Sequence, residues 1–443
     1  MTQLAELSLW IAVLMAAWSA TLSAQGAVMR RASFAESGRR GLTVAMLFTL
    51  IAGTGLGAAF LRDEYSVRYV AMHSGENVDL LYKLAAAWSD RAGELLLAAA
   101  LFAFAATMSA KRILRVDADR LRAGWTVAVF AALLGAALAI VAFKLDPFAP
   151  LPRNPGDGRG LDPVFRNDAM IFQPPLMLLG AACAAVTTAM AAVAFARRSV
   201  DGGLTARLRA SATEAWGLLM AALLIGAHWA YASPGVRATM MKDPAVLASA
   251  AALAALTLYL VVVELRASRN PPRAGGEATR RKSGLILVAL GAALCAAMFA
   301  ARPFARNYDA QIADGESYHA KDAWGHAWTF TSQGASRLER PGDDVTAVAL
   351  LPARDGARQP FIASESRQYY TEGGLDVFPA QTVPGIHSGI TQDLVVVLSD
   401  AGEGRAVLRI SFFPLVELAW IGGVFFALGG VLLFWPRIGE GAA

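Results

Sequence analysis

Apolar residues fall along this chain in nine long runs, at roughly 4–25, 42–61, 93–110, 124–143, 174–196, 215–231, 244–265, 284–300 and 414–435. A run of about 18 or more such residues predicts a membrane helix, because about 20 residues are needed to cross the hydrocarbon. A helix is the form that suits them, since it satisfies its own backbone polar groups where no water can. The first run has the length of a long signal-peptide core, with TLSAQG as a cleavage-like string, but it carries Glu6 and no Lys or Arg ahead of it. We read it as a retained helix.

The pattern changes in three long stretches between the runs. Residues 62–94 mix charge with apolar positions and predict a short interfacial helix ending near Trp88. Residues 145–173 are rich in Pro and Gly and read as a loop. From Arg302 to Phe413 the strings DVTAVALLPA, QDLVVVLSD and GRAVLRISFF alternate and are broken by turn residues, which predicts short strands. The expected fold class is therefore a polytopic α-helical membrane protein of about nine transmembrane helices, with a small β-rich external (periplasmic) domain before the last helix. The expected divisions are a membrane domain over 1–300 with eight helices and external loops at 62–92, 144–173 and 232–243, the β-rich domain over 301–413, and the last helix with its tail over 414–443.

Composition sharpens this. The chain has 443 residues, 56% hydrophobic and only 17% charged, against about 25% charged in soluble domains. Its formal charge of +5 sits in alternate loops, around Arg30–Arg40, Lys111–Arg122, Arg197–Arg209 and Arg266–Lys282. By the positive-inside rule these loops face the cytoplasm, the amino terminus is external, and the carboxyl terminus with Arg437 is cytoplasmic. The basic runs thus read as solvated loop charge beside the bilayer and not as a nucleic-acid surface. Cys183 and Cys295 both fall inside predicted helices, so no disulfide framework is implied.

One loop carries recognisable chemistry. WAYASPGVRATMMKDP, from Trp229 to Pro244, joins two apolar runs. It resembles the tryptophan-rich external loop of the CcmF/CcsA family of cytochrome c-type haem lyases, roughly WAYxxxGWGGWWxWDP, with Trp229, Tyr231, Gly235, Asp243 and Pro244 at matching positions. The middle is replaced by Val236, Arg237, Ala238, Thr239, Met240 and Lys242. Further matches follow in the family's order. These are RDEYSVRYVAMHS and YKLAAAWSDRAGELLL near the start, GRGLDPVFRNDAMIFQPPLMLLG, and then ESRQYYTEGG, SGITQDLVVVL and FPLVELAWIGGVFFALGG. The chain is shorter than the pattern: a basic linker, RASRNPPRAGGEATRRKS, stands where the family has additional helices.

The resemblance implies haem handling in cytochrome c maturation, by axial histidines, an aromatic bed and counter-charges for the propionates. The family's histidine positions fall here at Gln173, near Leu258 and near Ala289, and a fourth lies in the deleted region, so every expected ligand is absent. Haem is the cofactor implied by resemblance, while none is expected to be held by these residues. The degenerate haem-site positions are Gln173, His228, Trp229, Tyr231, Asp243 and Pro244; the positions expected to face partners are Trp88, Pro174, Pro175, Arg367, Tyr369, Tyr370 and Asp393. The expected role is a scaffold or accessory component without catalysis of its own. Its partners would be other cytochrome c maturation membrane proteins, an apocytochrome c or multihaem cytochrome, and the lipid bilayer. Two other readings stand beside it: an active haem lyase completed by His228 or a partner's ligand, and an interaction subunit of another membrane complex.

Other residues weigh less. His228 reads as an interfacial histidine, with a displaced iron ligand as the sharper alternative. Met240 and Met241 read as packing, and Arg237 and Lys242 as snorkelling cations, although they could pair with propionates. His319 and His326 are seven apart, but no third ligand accompanies them, and a solvated loop is expected. Glu94 and Glu264 are expected at helix ends within reach of water, and Glu417 at the interface. No Ser/His/Asp set or phosphate-cradling glycine loop is present.

Overall fold

The computed structural model describes residues 2–76, 78–116, 120–233, 240, 243–267, 275–340, 343–369, 380–402 and 404–434. Among these, nine helices are long and apolar enough to cross a membrane. They are α1 (Thr2–Met29), α2 (Ala32–Leu61), α5 (Arg91–Val116), α6 (Arg120–Ile140), α7 (Ala169–Ala196), α8 (Gly202–Ala232), α9 (Pro244–Ala267), α10 (Gly275–Ala301) and α11 (Val416–Phe434). Two short helices, α3 (Arg68–His73) and α4 (Leu80–Ala86), lie between α2 and α5. The chain is a multi-pass membrane protein with a β-rich region before its last helix, as the apolar pattern predicts.

The chain divides into two compact units: one takes in Met1–Ile225 and Pro244–Leu265, the other Gly226–Asp243 and Arg266–Trp435. In the first, α1 packs against α2 and α6 through small residues. Ser19 Oγ donates to the Gly38 carbonyl at 2.7 Å, a contact open only to closely spaced helices. The segment after α2 differs from the single interfacial helix expected. Helix α3 stops at Ser74 because the second loop docks on its end: the Arg159 and Gly160 N–H groups donate to the Ala71 and Ser74 carbonyls at 2.7 and 2.8 Å. A Cβ at Gly158 would lie 2.0 Å from the Ser74 carbonyl oxygen, so the glycine-rich string GDGRG is what lets the loop close on the helix.

Two charges expected in water are buried. Glu264 is 3% exposed and accepts from the Arg209 guanidinium, which is itself half-buried where the end of α9 lies against the start of α8. Arg122, grouped above with solvated loop charge, is buried; its Nη2 donates to Asp201 Oδ2 at 2.7 Å, and Nη1 bonds the Ser199 carbonyl. Asp201 also caps α8, accepting from Leu204 N–H at 2.6 Å. That backbone bond first, and the Arg122 bond after it, hold its carboxyl below the usual carboxylate range.

The second unit holds two antiparallel sheets. One has the order β1-β10-β9-β8, from strands Arg306–Ala313 (β1), Arg405–Pro414 (β10), Gln392–Gly402 (β9) and Gly385–His387 (β8). The other has the order β2-β3-β4-β6-β7, from Ser317–Lys321 (β2), Ala327–Arg340 (β3), Asp343–Arg354 (β4), Ile362–Tyr369 (β6) and Gln381–Val383 (β7), with β5 (Ala357–Arg358) added to β4. Inward positions of both, including Trp328, Phe330, Leu350, Leu398, Ile410 and Phe412, form one core. The three alternating strings of the sequence are β4, β9 and β10. In the same unit α10 and α11 meet at glycines: a Cβ on Gly291 would lie 2.5 Å from the Gly422 carbonyl oxygen, so the backbones touch directly.

Candidate functional site

The residues of the WAY motif sit at the carboxyl end of α8, where Ser233 N–H donates to the Trp229 carbonyl at 2.9 Å. Trp420, on the first turns of α11, faces two of them. Its ring lies 5.9 Å from His228 at 68° and 5.9 Å from Tyr231 at 73°, both edge-to-face. The Tyr231 hydroxyl donates to Asp393 Oδ2, while Gly389 N–H donates to Asp393 Oδ1 at 3.1 Å. Asp393 is fully buried, and a charge-assisted bond is how such a carboxylate is tolerated. Two motif residues that lie 162 positions apart in sequence are thus locked together, one from WAY and one from SGITQD. The Asp393 carboxylate is therefore committed to fixing the helix end against the β8–β9 turn.

Trp229 points the other way. It is 3% exposed, and its indole nitrogen has no hydrogen-bond partner among the described residues. His228 is exposed, and within this cluster it contributes the one imidazole. Asp243 and Pro244 stand at the start of α9, an acidic residue at the cap position followed by proline at the first helical position, a pairing that starts helices. Gly235, Val236, Arg237, Ala238, Thr239, Met241 and Lys242 lie outside the described residues, and Met240 is half-buried.

In the first unit, Gln173 is buried on α7, its side-chain amide 3.5 Å from Met177 Sδ. The next residue explains a neighbour. Pro174 has no N–H, so the carbonyl of Met170, four residues earlier, has no helical donor. The indole N–H of Trp88 fills that vacancy at 3.0 Å. Trp88 and Pro174, expected at a partner surface, are thus joined within the unit; Pro175 is half-buried. In the second unit Arg367 donates to Glu365 on the same strand at 2.8 Å. Tyr369 ends β6, and Tyr370 lies outside the described residues. His319 sits on strand β2 beside Thr329, and His326 bonds Asp355 at 2.9 Å, so the two serve separate contacts.

A haem held between paired imidazoles does not fit these residues. Gln173 offers an amide already turned to sulfur, Leu258 is 67% exposed on α9 with no donor atom, and Ala289 is exposed on α10. Among the described residues no three His, Cys, Asp or Glu side chains converge as for a metal ion. Trp420 was missed from the sequence as a site residue; the aromatic in ELAWIGG was the available signal.

No family model matches the chain. Individual relatives do. The probable cytochrome c-type biogenesis protein NrfE of Escherichia coli (strain K12) is 32% identical over 209 residues, covering 47% of this chain and 38% of that protein. The cytochrome c-type biogenesis protein CcmF of the same strain is 30% identical over 232 residues, 50% of this chain and 35% of that one. The chain is homologous to the CcmF and NrfE cytochrome c-type biogenesis proteins. A solved structure of cytochrome c heme lyase CcmF superposes with a TM-score of 0.74 at 18% identity, covering 98% of both chains. Fold likeness to CcmF therefore runs the length of the chain, while the sequence matches span little more than a third of the curated relatives' own length.

Proposed function

We propose that this chain serves cytochrome c maturation as a membrane-embedded scaffold or accessory component with a degenerate haem-handling site. The observation that carries the reading is the division of the motif residues. Those that lock the framework survive and are paired, as in Tyr231 with Asp393 and Trp88 with the carbonyl freed by Pro174. Those that would grip iron are Gln173, Leu258 and Ala289. In this reading the amino terminus and the β-rich region over 301–413 face the periplasm of a bacterial inner membrane, and the carboxyl terminus faces the cytoplasm. Partners are other cytochrome c maturation membrane proteins, with an apocytochrome c or multihaem cytochrome as client. They would meet the chain at the β6 positions Arg367 and Tyr369 and at Tyr370, which follows them.

A second reading, an active haem lyase, rests on one feature: the exposed imidazole of His228 beside Trp420. The two separate cleanly in cells that depend on this chain for cytochrome c assembly. The scaffold reading expects His228→Ala to leave covalent haem staining of the client at the wild-type level. Staining abolished by that change, with the protein still present in membranes, would transfer the role to His228.

A further inference from the structure

The first unit carries a cavity of about 490 Å³ that the proposed function does not use. Four cations from four segments ring it: Arg68 at the start of α3, Arg91 at the start of α5, Lys144 in the π-turn that closes α6, and Arg159 in the second loop. The walls are fixed by backbone bonds, with Arg68 N–H on the Ala149 carbonyl at 2.9 Å and Arg159 N–H on the Ala71 carbonyl at 2.7 Å. Two carboxylates, Asp90 and Asp146, also line it, but Asp90 faces His73, 3.8 Å from its Nε2. Arg68, Arg91 and Lys144 are exposed, and their side chains make no ion pair or hydrogen bond among the described residues.

Gathering three cations that make no ion pair, Arg68, Arg91 and Lys144, around one recess favours an anion between them. The amino end of α5 adds the positive pole of a 26-residue helix. The recess sits at the ends of two membrane-crossing helices, α5 and α6, the level at which headgroups lie. Met72 and Leu145 give it apolar lining beside the cations. We propose that this recess binds a phosphate group, presented by the headgroup of an anionic phospholipid. Arg and Lys side chains form charge-assisted hydrogen bonds with phosphate oxygens, and a compact dianion or monoanion matches the excess of cations over acids.

Native mass spectrometry of the full chain in detergent tests this with three probes: phosphatidylglycerol, phosphatidylcholine and inorganic phosphate. The wild type is expected to retain phosphatidylglycerol over phosphatidylcholine by about tenfold or more, and Arg68→Gln/Lys144→Gln to lose that preference. The charge-keeping Lys144→Arg is expected to retain it, which separates binding from folding. Retention of inorganic phosphate that the double variant abolishes, with no lipid preference, would keep the phosphate chemistry and overturn the lipid as its source. Equal retention of every probe by wild type and double variant overturns the proposal.

Discussion

Arg209→Ala is expected to destabilise the first unit by about 3–5 kcal/mol, because it removes one member of an ion pair whose carboxylate, Glu264, is buried. Glu264 is nearly sealed from solvent, so the carboxylate cannot recover by hydration what it loses in pairing. The effect belongs to the broken pair and not to the charge itself. Arg209→Met combined with Glu264→Leu removes both charges, restores apolar packing between α8 and α9, and is expected to recover most of the loss. Equilibrium unfolding of the detergent-solubilised variants checks this. A single variant as stable as the wild type, or a double variant no better than the single, would show that the pair is solvated.

Asp322→Ala is expected to cost the β-rich region roughly 2–5 kcal/mol. The carboxylate is buried at the head of the turn between β2 and β3 and accepts from four donors: Trp328 Nε1 at 3.0 Å, Gln392 Nε2 at 2.6 Å, and the backbone N–H groups of Trp324 and His326 at 2.9 Å each. Truncation strands the indole and the amide inside the core. Burial by itself would raise the carboxyl's pKa, but the Trp328, Gln392 and backbone bonds outweigh it and hold it below the usual carboxylate range. The stability this supplies is complete above the unfolded-state pKa and is lost as pH falls through the folded one. Acid unfolding of the wild type therefore carries a component below about pH 4 that Asp322→Asn removes. Identical acid profiles for the two would contradict it.

The two parts of the architecture were legible for different reasons. Nine apolar runs predict nine helices because bilayer thickness sets their length, whatever they pack against. Strands β4 and β10 were legible because one face of each is core, which imposes alternation, whereas β9 is buried on both faces over 392–396 and was legible as a short apolar run. Pairings were not. Nothing local in GITQD says that Asp393 will receive the Tyr231 hydroxyl, since that contact closes over 162 residues. Glu264 looked solvated because its neighbours in sequence end a helix; its burial comes from α8. The break between α3 and α4 was invisible because its cause, the docking of Arg159 and Gly160, lies in a different loop. Of the haem-site positions, the absences could be read directly from residue identity at Gln173, Leu258 and Ala289, whereas the aromatic contacts of Trp420 needed the fold.

The central claim is that this framework has kept its locks and lost its grip on iron. Its most direct test is the pyridine haemochrome spectrum of the full chain purified from a haem-replete host, referred to protein concentration. The account predicts no stoichiometric haem, in the wild type and in His228→Ala alike. A b-type spectrum at one haem per chain that survives purification would contradict it, and its disappearance in His228→Ala would name the ligand.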